Sequence, residues 1–337
     1  MPVPVILNQR FGVNNVIAMD IGGTHFRVGL FDHEGRRLEV LEGDTSRSGG
    51  RDWMLEQVRD RARALLQRAD FPVKACGISF GGPVDFEQQR VRSLHTPGWE
   101  GFPLARWAED ALDLPCRLDN DANAGALGEY RFGAGKGARS LFYVTLSTGI
   151  GAGFVYEGKV YHGRDSLAGE IGHIPVSDSG VLCACGARGC LETFCSGTAI
   201  ALRAREWADR RPESIGRMLE LSGGSPDNIS ARAVAQAAAE GDSMAAGIIH
   251  ETSRWLARAL LTVIRILNPD RIILGGGVAR AGNVLLDPVH EFLRDLASPS
   301  IGYSTEIVLA ELENYSPLYG GAAMALDLAK EDGAVAG

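Results

Sequence analysis

With 337 residues, 45% of them hydrophobic and 23% charged, the chain is long enough for two domains and a sizeable buried core. A formal net charge of -8, with no run of lysine and arginine, argues against a nucleic-acid partner. Six cysteines, three of them clustered, do not resemble a secreted disulfide framework, MPVPVILNQRFG lacks a signal-peptide pattern, and no apolar run reaches membrane-spanning length, so a cytoplasmic protein without a membrane partner is expected.

Val16–Ile21 reads as a short apolar strand with Asp20 near its end. Gly22-Gly23-Thr24 follows at once, then a second strand over Phe26–Phe31. A dinucleotide-binding unit needs a helix after its glycines, so strand, glycine turn, strand is something else. Such a turn offers backbone N–H groups and a hydroxyl to a phosphate, and Asp20 is placed to hold magnesium or its waters. A plain hairpin turn accounts for the same residues.

Apolar residues at helical spacing predict a helix over Asp52–Arg68, followed by a buried-type strand, Val73–Phe80, that runs into Gly81-Gly82-Pro83. A loop containing His95, Pro97 and Trp99 leads to a helix at Leu104–Leu112 and a strand at Cys116–Leu118. Asp119-Asn120-Asp121-Ala122-Asn123 then opens an alanine- and glycine-rich helix reaching about Phe132. Asp121 could serve as a helix cap, but the Asx residues around it exceed what one cap needs. Leu141–Leu146, Ser147-Thr148-Gly149-Ile150-Gly151 and a strand over Phe154–Glu157 repeat the first device, and two such turns can hold a polyphosphate from two sides.

Between Ala168 and Glu192 lie His173, Cys183, Cys185 and Cys190, spaced H-x9-C-x-C-x4-C. Three thiolates and an imidazole are a closed tetrahedral ligand set for structural zinc, and Gly186 and Gly189 suit the turns it requires. Glu170 and Glu192 flank the cluster as spare carboxylates. From Gly197 onward the pattern is mostly helical, with Arg210–Asp227 expected as a mobile excursion and the longest helix at Ser243–Leu267, stopped by Asn268-Pro269. Arg271–Leu274 is a strand running into a Gly275-Gly276-Gly277-Val278 turn where backbone can approach a flat ring. A helix at Val284–Leu296, a strand at Ile307–Leu309 and a helix at Leu318–Lys330 complete the chain.

Gly133-Ala134-Gly135-Lys136-Gly137 lacks the P-loop order, and the protein-kinase signatures are absent. Two phosphate turns, a carboxylate beside one of them and an Asn-Asp pair at a helix start supply the parts of phosphoryl transfer to a hydroxyl.

DIGGTHFRVGLF, GISFGGPVDF, DNDANAGALGE, LSTGIGAG and GEIGH…CACGARGCLE occur in the order of the ROK family of sugar kinases and sugar-responsive repressors, which the chain resembles from about Ile17 to its last helix. The resemblance implies the two-domain actin–hexokinase–Hsp70-like (ribonuclease H-like) α/β fold, with a nucleotide and a sugar in the cleft. Residues 1–118 with 318–337 would form the small domain and 119–317 the large one.

Asp121 matches the catalytic carboxylate; Asn120, Glu170, His173 and Glu192 match sugar contacts, and Gly82 and His95 fall in the loop over the sugar. Asp20, Gly22, Gly23 and Thr24 match the first phosphate motif, Thr148, Gly149 and Gly151 the second, and Gly276 and Gly277 the turn beside adenosine. One departure is Ser147, where the family generally has glycine.

The resemblance thus implies an ATP- and magnesium-dependent hexose 6-phosphotransferase with structural zinc, expected as a homodimer. Glucose is the expected acceptor, because the His95–Trp99 loop with Phe102-Pro103-Leu104 resembles that of glucokinases. N-acetylmannosamine or N-acetylglucosamine is the alternative. A repressor of the family would carry a helix-turn-helix, whereas only about fifteen non-basic residues precede the first strand here.

Overall fold

The computed structural model describes residues 14–46, 48–92, 98–178, 180–211, 215–297 and 301–335. By internal contacts the chain divides into two compact units, one taking residues up to Asp121 and again from Gly320, the other Ala122–Tyr319.

The first unit runs β1 (Asn15–Ile21), β2 (His25–Phe31), β3 (Arg37–Asp44), α1 (Gly50–Arg68), β4 (Val73–Phe80), the hairpin β5 (Val84–Asp85) and β6 (Arg90–Val91), α2 (Leu104–Leu112) and β7 (Cys116–Asn120). Its five-stranded sheet has the order β3-β2-β1-β4-β7. The β1–β2 and β2–β3 pairs are antiparallel, and β1–β4 and β4–β7 are parallel. Every residue of β1 is buried, as a central strand covered on both faces requires. Met54, Leu55, Val58, Ala62 and Leu65 form the buried stripe of α1, at the spacing of one helix face.

The second unit takes most of α3 (Asp121–Phe132), then β8 (Ser140–Leu146), β9 (Ile150–Tyr156) and β10 (Lys159–Val160). The helices α4 (Glu192–Cys195), α5 (Gly197–Arg210), α6 (Gly216–Glu220), α7 (Ala231–Ala239) and α8 (Ser243–Leu267) follow. Then come β11 (Arg271–Gly275), α9 (Gly276–Ala279), α10 (Asn283–Leu296), β12 (Glu306–Leu309) and α11 (Ser316–Val335). Its sheet order is β10-β9-β8-β11-β12, again antiparallel on the hairpin side and parallel on the other.

The two sheets therefore share one topology, strand for strand. The glycine turns occupy corresponding hairpins, β1–β2 and β8–β9, and the Gly81-Gly82 and Gly276-Gly277 pairs follow corresponding strands, β4 and β11. The carboxyl ends of parallel strands are where such sheets bind ligands.

From Gly320 onward α11 belongs to the first unit, and it approaches the sheet at two glycines. A Cβ on Gly77 would come 1.9 Å from the Gly321 carbonyl oxygen. The long helix α8 lies where the sequence predicts it, capped by the Asp242 side chain accepting from Ala245 N–H and ended by Asn268 in the left-handed region.

One expectation needs correction. Gly275–Val278 is not an open turn, because β11 extends to Gly275 and Gly276 opens the short helix α9. Among the described residues, the stretch over 210–227 holds α6 and the start of a 3-10 turn at Pro226–Asn228, with Ile215 and Met218 buried in the core. Among the described residues no helix is long and apolar enough to cross a membrane.

Candidate active site and metal centre

In the first unit the strand register lines up a polar row across the sheet. Glu42 pairs with Arg27, Arg27 with Asp20, Asp20 with Ser79 and Ser79 with Asp119. Asp20, buried, accepts from Arg27 Nη1 at 3.1 Å through Oδ2 and from Ser79 Oγ at 3.1 Å through Oδ1. Burial raises its carboxyl above the ordinary range, against the opposing pull of Arg27 and Ser79. Arg27 and Ser79 are partners that no local pattern marks, since their place follows only from register.

The loops at the ends of these strands converge. Gly22 N–H donates to the His25 carbonyl across the first glycine turn at 3.1 Å, and Thr45 Oγ1 donates to the Gly22 carbonyl at 2.8 Å. Gly23 and Thr24 are exposed there. A Cβ on Gly81 would lie 3.3 Å from Gly22 Cα and 3.7 Å from Asp121 Oδ2. Asn120 Nδ2 donates to the Gly82 carbonyl at 2.9 Å and to Asp121 Oδ1 at 3.0 Å. Asp20, Gly22–Thr24, Gly82, Asn120 and Asp121 thus gather at one edge of one sheet. Asp121 is the first residue of α3, where the helix dipole favours negative charge.

In the second unit the Ser147–Gly149 turn is held from outside. Gly197 N–H donates to the Ser147 carbonyl at 2.7 Å and Thr198 Oγ1 to the Thr148 carbonyl at 2.8 Å. Ile150 N–H donates to Glu192 Oε2 at 2.8 Å. Gly276 packs against the end of β8, where a Cβ would come 2.5 Å from the Leu146 carbonyl oxygen. Thr148, Gly149, Gly151, Glu192 and Gly276 are thereby neighbours, with Gly277 next along the chain. The N-terminus of α5 was not anticipated in this role, although Ser196 at its cap is a recognisable start signal.

The four expected metal ligands meet. Cys183 Sγ lies 3.5 Å from His173 Nδ1, Cys185 Sγ lies 3.7 Å from Cys190 Sγ, and the four donor atoms are within 4.8 Å of one another. Tetrahedral zinc, with bonds of about 2.3 Å to sulfur and about 2.0–2.1 Å to nitrogen, sets donor–donor edges of roughly 3.5–3.8 Å, so the set fits that ion. Gly186 and Gly189 both take positive φ, at 90° and 73°, in the turns that bring the sulfurs round.

Because Nδ1 faces the sulfurs, Nε2 is left on the other side of the ring, 3.8 Å from Glu170 Oε2. Partial burial raises the Glu170 carboxyl, which His173 opposes and Glu192 reinforces. Of the expected site residues, His95 lies outside the described residues.

Comparison with known proteins adds the family. The ROK family profile matches residues 16–328. The chain belongs to the ROK family. ROK relatives include a glucokinase of Thermotoga maritima, 36% identical over 92% of this chain and 96% of its own length. An N-acetylmannosamine kinase of Yersinia pestis is 32% identical over 79% of this chain and 83% of its own. A xylose repressor of Caldicellulosiruptor bescii is 26% identical over 96% and 81%. The crystal structure of a ROK glucokinase from Streptomyces griseus, in complex with glucose and AMPPNP, matches with a TM-score of 0.81 at 34% identity, covering 94% of this chain and all of that one. The two mixed five-stranded sheets with their helices are thus the actin-like ATPase fold of ROK glucokinases.

Proposed function

We propose that this ROK protein is an ATP-dependent sugar kinase that transfers the γ-phosphoryl group to the 6-hydroxyl of a hexose, with glucose as the preferred acceptor. The observation that carries the reading is Asp121, at the start of α3 beside Gly81 and the Gly22 turn and with its Oδ1 held by Asn120. Likeness to glucokinases over nearly the full length of both chains supports the choice of acceptor.

In this mechanism Asp121 accepts the proton of the sugar's 6-hydroxyl as that oxygen bonds to phosphorus and the bond to the ADP oxygen breaks. Asn120 keeps the carboxylate pointed for that task. Glu170, His173 Nε2 and Glu192 receive sugar hydroxyls, and a hydroxyl missing from the wrong sugar would leave a polar group unpaired, which gives selectivity. Gly82 and His95 keep the sugar-contact role that the family resemblance implies. The turn at Gly22, through the backbone N–H groups of Gly23 and Thr24, and the turn carrying Thr148, Gly149 and Gly151 take the phosphates, while Gly276 and Gly277 lie beside adenosine.

Magnesium, bound with the nucleotide, would neutralise phosphate charge, with Asp20 reaching it through water. Zinc on His173, Cys183, Cys185 and Cys190 would be structural, fixing the segment that carries the sugar contacts.

An N-acetylhexosamine acceptor is the second reading, favoured by the 32% identity to an N-acetylmannosamine kinase. A coupled ADP-release assay over hexoses and N-acetylhexosamines tests both. Turnover highest with glucose is the expected result; highest turnover with N-acetylmannosamine selects the second reading, and no ADP with any sugar overturns both.

A further inference from the structure

Glu192 stands two residues after the zinc ligand Cys190 and at the first position of α4, yet its carboxylate is engaged elsewhere, on the second glycine turn. Oε2 accepts from Ile150 N–H at 2.8 Å, and a Cβ on Gly149 would come 2.6 Å from that same oxygen. A side chain at residue 149 would therefore push this carboxylate from its present position. The internal bond of the turn, Ser147 N–H to the Gly149 carbonyl at 2.9 Å, lies across the hairpin.

The surrounding backbone fits the same arrangement. The Leu191 N–H donates to the Ile174 carbonyl at 3.0 Å, which sets the chain direction into Glu192. Gly172, one residue before the ligand His173, packs so closely on β9 that a Cβ there would come 2.4 Å from the Ile150 carbonyl oxygen. The segment that carries the metal ligands thus meets the first residue of β9 twice, by the Glu192 hydrogen bond to its N–H and by close packing of Gly172 beside its carbonyl.

We infer that Glu192 is a positioning residue for the nucleotide as well as a sugar contact: through Oε2 it fixes the Thr148–Gly151 backbone that receives phosphate. This rests on the proposed kinase reading and deepens it. A hydroxyl bound at Oε1 and a phosphate bound at the turn would then bear on one carboxylate, so acceptor and donor affinities are coupled, each ligand ordering the group that the other needs.

Two substitutions separate the acceptor from the charge. Glu192→Asp keeps the charge but is one methylene too short to reach Ile150 N–H; Glu192→Gln loses the charge but keeps an oxygen that reaches it. Affinity for magnesium–AMPPNP is measured by titration calorimetry without sugar, which removes the sugar contact from the readout. Zinc content and melting temperature are recorded for each variant, and amide exchange at Ile150 is followed by mass spectrometry.

Nucleotide binding is expected to weaken roughly tenfold in Glu192→Asp, as for loss of a charge-assisted hydrogen bond, with Ile150 deprotected. In Glu192→Gln it should stay within about threefold of wild type, with Ile150 still protected. Equal nucleotide affinity in wild type and Glu192→Asp overturns the inference, and so does a Glu192→Gln protein as weak as Glu192→Asp. A wild-type protein that binds no AMPPNP overturns the kinase reading itself and the inference with it.

Discussion

Asn120 Nδ2 lies 2.9 Å from the Gly82 carbonyl oxygen and 3.0 Å from Asp121 Oδ1, so one amide group joins the loop after β4 to the carboxylate at the head of α3. Orientation of Asp121 therefore depends on its sequence neighbour. In Asp121→Asn turnover should fall by about 10²–10⁴, the usual span for a lost general base, while sugar affinity by calorimetry stays within a fewfold. Asn120→Ala should lower kcat by a smaller factor, about tenfold, because the carboxylate remains but loses the Asn120 bond. An active Asp121→Asn protein would remove Asp121 from the chemistry.

The metal cluster makes a separate claim. Burial pushes the Cys190 thiol up to about 12, whereas the Ala187 N–H draws the exposed Cys185 down. A cation is what lets all three sulfurs be thiolates together. Elemental analysis should find about one zinc per chain in wild type and well below that in Cys185→Ser, with a lower melting temperature and weaker sugar binding. Wild-type protein free of zinc would show that the cluster is not a zinc site.

What the sequence disclosed and what it hid follow from range. Val73–Phe80 and Leu104–Leu112 match their predicted bounds because an apolar pattern and a nearby stop residue are both local signals. The polar row through Arg27, Asp20, Ser79 and Asp119 was not legible, because β1 and β4 are brought into register only by the fold, with Asp20 and Ser79 59 positions apart. The same holds for Glu192 and Ile150, 42 positions apart. Burial of Met218 and Ile229 beside polar neighbours is likewise a tertiary effect that the composition of the segment does not announce.

Packing of α11 offers a test that does not involve the site. Gly77, in the middle of β4, faces Gly321 so closely that a Cβ would lie 1.9 Å from its carbonyl oxygen, and backbone on both sides leaves no flexible side chain to give way. Gly77→Ala should destabilise the protein by about 1–3 kcal/mol, as overpacking generally does, measured by urea unfolding. Gly216→Ala is the control, since nothing lies within 4 Å of a Cβ there and no loss from steric conflict is expected. Equal stability of Gly77→Ala and wild type would mean that α11 does not approach the sheet at this point.

Asp270, just before β11, gives a pH-dependent prediction. Its Oδ2 accepts from Ser140 N–H at 2.8 Å, from Arg139 N–H at 2.8 Å and from Ser140 Oγ at 3.2 Å. The Ser140 N–H leads in holding the carboxyl below the ordinary carboxylate range, with the Arg139 N–H adding to it against slight burial. A folded pKa depressed below the unfolded value of about 3.9 means the ionised group stabilises the fold at neutral pH. That contribution is complete above the unfolded value and is lost as pH falls through it and then through the lower folded one. Asp270→Asn should therefore melt roughly 1–3 °C below wild type at pH 7, a modest gap because the side chain is solvent-screened. The gap should persist at pH 5 and narrow below about pH 4. A metal on the cysteine cluster would be shed in acid by both proteins alike, so the difference between the two, rather than either midpoint, is the measurement. A gap that widens on acidification would mean that the folded carboxyl titrates above the unfolded one, and the assigned role of the Ser140 and Arg139 amides would be wrong.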